Sequence, residues 1–152
     1  MRGLYLLSIA LLAAVGPLAA QGAPAAAQRD TIAIRELYRR YSQAFAAEDV
    51  ATLVQCFAED GMLMAPREPT VAGRDQLRRR WESFAAAEVT HELGFTLDEI
   101  VIAGEWAYAR GTFTWRGIIK AGEPEAENRG RYLDILRRER DGSWVIARRM
   151  RN

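Results

Sequence analysis

The sequence predicts an α+β domain: three N-terminal helices packed in a curved, mostly antiparallel sheet. Two observations carry this expectation. Apolar residues recur at steps of three and four through the first part of the chain, and give way after Val89 to long strand-like runs. The order matters as well, because three helices and one short strand precede four long strands, separated by turn-forming residues.

Ahead of these elements, MRGLYLLSIALLAAVGPLAAQGAPAAAQRD combines one positive residue, an apolar run from Leu4 to Val15, and a tail of small residues. That pattern predicts a secretory signal over residues 1–27. Cleavage is expected between Ala20 and Ala27, so that the exported protein begins between Gln21 and Gln28 and residues 28–152 form one domain. The apolar run is shorter than the roughly 20 residues that span a bilayer, so no membrane attachment is expected after cleavage. Its expected location is periplasmic or extracellular. Cys56 is the only cysteine, which excludes an internal disulfide. Apart from Arg2 in the leader, basic and acidic residues balance, which gives nucleic acid no electrostatic footprint.

The first helix is expected from Asp30, with Asp30 or Thr31 as cap, because Ile34, Leu37, Tyr38, Tyr41 and Phe45 form one stripe. Arg35, Glu36, Arg39 and Arg40 fall on its polar face. The segment DVATLVQCFAEDG predicts a second helix capped by Asp49, burying Val50, Leu53, Val54 and Phe57 and ending at an Asp60-Gly61 turn. A short strand MLMA follows, then a Pro-containing loop, PREPTVAG. RDQLRRRWESFAAA predicts a third helix, with Leu77, Trp81 and Phe84 on one stripe. Strands are then expected over Val89 to Ala103, Glu105 to Lys120, Arg129 to Arg138 and Trp144 to Met150. The connections are AGE, AGEPEAEN and the Asp-Gly turn within Arg140-Asp141-Gly142-Ser143. Such a sheet, curling away from the first and third helices, leaves room for a small-molecule cavity.

One residue conflicts with its surroundings. In RGRYLDILRRERDGSW, Tyr132, Asp134 and Leu136 share one strand face and Leu133 and Ile135 the other, so Asp134 lies among apolar neighbours on either reading. A buried lone carboxylate costs several kcal/mol, so Asp134 is solvated, paired or protonated; Arg116, Arg131 or another cation is the pairing candidate. His91 shares parity with Leu93, Phe95 and Leu97, which directs it inward, either as a core residue or as an acid-base group. Glu68, in the Pro-containing loop, is either an exposed loop residue or a base able to reach the cavity. With one histidine, one cysteine and no dinucleotide fingerprint, neither a metal site, a nucleophilic triad nor a cofactor is expected.

Several stretches together resemble a known family: YSQAFAAEDVATLVQCFAEDG, P…VAGRDQLRRRW, AYARGTFTW and GRYLDILRRERDGSWVIARRM. They resemble the nuclear transport factor 2-like superfamily, within it the SnoaL-like domains, and most closely exported proteins of the SgcJ/EcaC type. The resemblance runs from about Ile32 to Asn152 and implies a cone-shaped roll. It also implies similarity to ketosteroid isomerases, in which a tyrosine and a protonated aspartic acid bind one substrate oxygen. Arg40-Tyr41 matches their Arg-Tyr pair, and Asp134, eight residues before Gly142, matches their aspartic acid. The resemblance therefore implies a neutral Asp134 beside Tyr41. Their general base is replaced by Ala65, before Pro66, and two supporting tyrosines by Phe57 and Trp81. Arg151 stands where they carry a pocket tryptophan and would set a cation at the pocket mouth; Arg149 stands where they carry an acid.

Three functions are compatible with this sequence. The first is an exported binding protein for a small apolar or weakly anionic molecule, contacting a carbonyl, enol or phenol oxygen through Tyr41 and Asp134, with Phe57, Met64, Trp81, Phe95 and Arg151 as further ligand-binding residues. The second is a cofactor-free proton-transfer enzyme of isomerase, cyclase or dehydratase type, with His91 or Glu68 in place of the missing base. The third is a dimerisation or partner-binding module. A homodimer through the outer sheet face is implied by the resemblance and agrees with Tyr108, Thr112 and Thr114 sharing a strand face.

Overall fold

The computed structural model of the protein describes residues 22–86, 89–119 and 124–152. The expected signal segment up to residue 21 and part of the expected AGEPEAEN connection lie outside them. Helix α1 (Gly22–Ala46) leads into α2 (Val50–Gln55), β1 (Phe57–Met64), β2 (Val71–Ala72) and α3 (Arg74–Ala85). Strands β3 (Val89–Phe95), β4 (Glu99–Ala103), β5 (Trp106–Ile119), β6 (Pro124–Arg138) and β7 (Trp144–Arg151) follow. The sheet runs β2-β1-β7-β6-β5-β3, with β4 also paired to β5. All pairings are antiparallel except that of β1 with β7. The expected architecture holds: three helices pack against a curved, unclosed sheet.

The α1 stripe forms as the periodicity requires. Ile34, Leu37, Tyr38, Tyr41, Ala44 and Phe45 are all buried, and they meet Leu77 and Trp81 of α3 and the inward residues Ala109, Phe113, Tyr132, Leu136 and Ile146 of the sheet. Asp30 is no cap, because α1 already begins at Gly22. Its carboxylate instead accepts from Arg138 at 2.6 and 2.7 Å and from the Trp144 indole at 3.3 Å, tying α1 to the last hairpin. Asp49 does cap α2, accepting from the Thr52 amide at 3.0 Å and the Thr52 hydroxyl at 2.6 Å.

Helix α2 ends at Gln55, well before the expected Asp60-Gly61 turn, and Phe57–Met64 is strand. The physical reason is parallel pairing with β7, which begins at Phe57 opposite Ile146. Asp60 is accordingly a strand residue that receives Arg137 at 3.1 Å and Arg148 at 3.2 Å. The expected strand Val89–Ala103 is two strands. They pair with the two halves of β5 and break around Thr96, whose carbonyl accepts from the Tyr132 hydroxyl at 2.7 Å. Gly111 permits this crossing, since a Cβ there would lie 2.1 Å from the Thr96 carbonyl oxygen. Strand β6 starts at Pro124, earlier than expected, and reaches the Asp-Gly turn, where Gly142 holds φ at 85°.

One irregularity positions the site. Leu136 faces Ile146 and Ile135 faces Arg148, so β7 advances two residues while β6 advances one. This is a β-bulge at Ala147, and it inverts the inward-outward alternation of β7. Ile146 lies inward before it and Arg149 after it, opposite Asp134.

Candidate functional site

Asp134 is inward and fully buried, but it does not meet Tyr41. Arg149, itself 2% exposed, donates to it from Nε at 3.0 and 3.1 Å and from Nη2 at 2.6 Å. The Tyr38 hydroxyl donates at 2.5 Å. A guanidinium can only donate, so the carboxylate accepts. The implied arrangement, in which Asp134 is a neutral donor beside Tyr41, is replaced by a buried ion pair completed by a different tyrosine one helical turn earlier. Burial, then the Asp134 charge, push the Tyr38 hydroxyl well above the usual phenol range, which keeps it a donor. Burial by itself would lower Arg149, yet the charge and hydrogen bonds of Asp134 outweigh it and hold the guanidinium well above its usual range.

Arg149 also fills an aromatic cage. Its guanidinium carbon lies 4.6 Å from the ring centroid of Tyr41 and 4.9 Å from that of Phe95, with Tyr38, Phe57 and Tyr132 between 5.6 and 5.9 Å. The deepest part of the roll is thus occupied by a side chain of the protein. What remains there is a void of about 20 Å³, bordered by Tyr41, Phe95, Tyr132, Arg149 and Arg151 among others.

Above it opens a cleft of about 800 Å³, within the usual range for small-molecule sites. Phe45, Trp81, Phe84, Phe113 and Trp115 supply its apolar wall, and Ala65, Glu68, Arg80 and Arg151 are among its other lining residues. Glu68 lies at the cleft as a candidate base should, but Arg80 holds it at 2.6 Å. The indole nitrogens of Trp81 and Trp115 and Nε of Arg80 are buried and find no hydrogen-bond partner among the described residues. Arg151 is half-buried over the Phe113 ring at 5.6 Å.

The expected site residues separate into groups. Trp81 and Arg151 line the cleft, while Tyr41 and Phe95 border the small void beneath it. Phe57 is core against Tyr41, and Met64 borders neither space. His91 is inward and 4% exposed, packed on Phe84 at 4.0 Å and near Phe45 and Trp115, and it borders neither space either. Sequence reasoning missed Tyr38 and Arg149 as the partners of Asp134. Tyr38 was visible only as one more member of the α1 stripe, and the parity of Arg149 is set by a bulge that no residue type announces. Among the described residues, no three metal-ligating side chains converge.

These features coincide with a known family. The model of the SnoaL-like domain matches residues 38–147. The chain belongs to the SnoaL-like domain family. A ketosteroid isomerase-like protein from Erwinia carotovora atroseptica is 27% identical, with a TM-score of 0.67, over 79% of this chain and 92% of that one. A protein of unknown function from Mycobacterium tuberculosis is 25% identical, with a TM-score of 0.75, over 92% of this chain and 77% of that one. At 22% identity, a nuclear transport factor 2-like protein with a cystatin-like fold from Novosphingobium aromaticivorans shares the fold, with a TM-score of 0.71 and 90% of each chain covered. None of the curated protein sequences matches this chain. The SnoaL-like domain supplies the roll, and in this chain Arg149 fills an aromatic cage inside it.

Two predictions follow from the geometry. Asp134→Asn leaves the buried Arg149 charge unmatched and should lower stability by about 3–5 kcal/mol. Tyr38→Phe should cost only about 1–2 kcal/mol, and the double change Asp134→Leu with Arg149→Met should recover most of the loss; urea unfolding of the four proteins measures this. For His91, burial lowers the imidazole below its usual value near 6.5, against smaller opposing effects of the Phe84 backbone and the Glu48 charge. The unfolded chain then binds the proton more tightly, so stability is fully present above pH 6.5 and falls as pH drops through the folded value. Denaturation midpoints between pH 8 and 5 should fall less in His91→Leu than in the parent.

Proposed function

We propose that this SnoaL-like chain is an exported binding protein that takes a small apolar or weakly anionic molecule into the cleft above Arg149. The observation that carries this reading is the aromatic wall of Trp81, Phe84, Phe113 and Trp115 around a space of about 800 Å³. Export rests on the leader pattern in the sequence. Likeness to the ketosteroid isomerase-like protein of Erwinia suggests proton transfer, but the groups for it are differently engaged here. Asp134 is occupied by Arg149 and Tyr38, Ala65 offers no base, and Glu68 is held by Arg80. Binding without turnover therefore accounts for more of the site. A naphthalene-sized probe, as 2-naphthamide or 2-naphthoate, should bind saturably in calorimetric titration, and Trp115→Ala should weaken it about tenfold. Absence of saturable binding by both probes would remove this reading.

A homodimer is the second part of the proposal. Val101, Trp106, Leu133, Ile135 and Met150 are all between 41% and 53% exposed and lie on the outer sheet face. Val101, Tyr108 and Ile135 form one cross-strand row, and Leu133 pairs with Met150 beside it. These apolar residues, interspersed with Arg110, Arg137 and Arg148 on the same face, suit a self-complementary two-fold contact with a mixed apolar and polar surface. Sedimentation should give a dimer at micromolar concentration and a monomer for Ile135→Arg; a monomeric parent would refute it.

A further inference from the structure

Charge matching around the cleft narrows the ligand further, and this inference rests on the cleft reading above. Three inner arginines lie close together. Arg149 is matched by Asp134 at 2.6 Å and Arg80 by Glu68 at 2.6 Å. No carboxylate among the described residues forms an ion pair with Arg151. Arg67 and Arg131 also line the cleft, but both are exposed, where water and salt screen them. The inner cleft therefore carries one unmatched, partly desolvated positive charge.

That charge sits where two spaces meet. Arg151, Phe45 and Phe113 line both the cleft and the small void. The void, about 20 Å³, is room for one water-sized group, and a carboxylate oxygen is of that size. It is bordered by Tyr41 and Arg149. Arg149 contacts Asp134 through Nε and Nη2, and its Nη1 makes neither contact. Burial lowers Arg151; Tyr41 and Glu68 offset this in part, and the charges of Arg80 and Arg149 add to it, so the net direction is downward and an anion in direct contact would relieve an existing penalty. The remainder of the ligand would lie against five aromatic rings, beside the unpartnered indole nitrogens of Trp81 and Trp115. Glu68, at the same cleft, disfavours a second negative charge.

We propose that the cleft selects small aromatic monocarboxylates, with Arg151 binding the carboxylate and Arg149 and Tyr41 completing the anion subsite. The class follows from the chemistry: one unmatched cation, a void for one oxygen, and a flat aromatic wall. Lengthening the acid chain or adding a second carboxylate places charge against Glu68 or outside the aromatic wall, and should weaken binding.

The test compares 2-naphthoate with the isosteric neutral 2-naphthamide by calorimetric titration of the mature protein at low salt. Naphthoate should bind at least about tenfold more tightly, as expected for a charge-assisted pair. Arg151→Gln should abolish the preference, bringing naphthoate to within about twofold of the amide measured on the same variant, with a melting temperature near the parent's because Arg151 is only half-buried. Arg131→Gln, on the rim, should change naphthoate affinity by less than about threefold. Equal affinity of the two probes for the parent would overturn carboxylate selection while leaving the cleft reading intact. Preference for naphthoate that survives Arg151→Gln would overturn the role of Arg151. Failure of both probes to bind would overturn the cleft reading as well.

Discussion

The buried pair of Asp134 and Arg149 is the constraint around which the rest of the roll is arranged. Desolvating two charges costs several kcal/mol each, and only good geometry with extra hydrogen bonds offsets it. The structure supplies both: Arg149 approaches Asp134 from the adjacent strand, and Tyr38 reaches across from α1. Three elements must therefore be in place together. If α1 shifted by one turn, Tyr38 would leave the carboxylate; if β7 lost its bulge, Arg149 would face water and Asp134 would remain alone. An intact cluster adds little beyond what apolar side chains of the same volume would give, whereas half a cluster is costly. Its effect is to make one register of β7, and one seat for α1, the accessible answer.

The same cluster decides where a ligand can go. Five aromatic rings enclose the Arg149 guanidinium, so the innermost chamber holds a cation that belongs to the chain. In a related isomerase arrangement, an acid and a tyrosine would face that chamber and wait for a substrate oxygen. Here the acid already has its partner. On the binding reading proposed above, recognition is displaced outward, to the cleft lined by Trp81, Trp115 and Arg151.

Much of this was legible in the sequence, and the failures have identifiable causes. The α1 stripe, the Asp49 cap, the Asp-Gly turn and the α+β order all rest on local rules of periodicity and backbone geometry. Their signals lie within a few residues of each other, so they survive folding. The end of α2 was misread because FAEDG continues a helical pattern, and only β7, far away in sequence, converts Phe57–Met64 into a strand. Asp30 was misread for a related reason: its partners, Arg138 and Trp144, are over a hundred residues distant. For Asp134 the sequence posed the right question and admitted the right class of answer. Pairing with a cation was one of the readings, but alternation along β7 aligns Arg148, not Arg149, with the inward Ile146 until the bulge reverses it.

That reversal is also a small change with a large chemical effect. A bulge moves no element by more than a residue, yet it exchanges which of two adjacent arginines enters the core. Arg148 goes outward to Asp60, on β1, and Arg149 goes inward to Asp134. An outward arginine costs almost nothing, since a surface ion pair contributes about 0–1 kcal/mol. The inward arginine pairs with the fully buried Asp134 and leaves Arg151, above it, as the inner arginine with no ion-paired carboxylate among the described residues. The two consequences have a single cause, so the engagement of Asp134 and, on the reading proposed above, the anion-facing character of the cleft trace to one structural event.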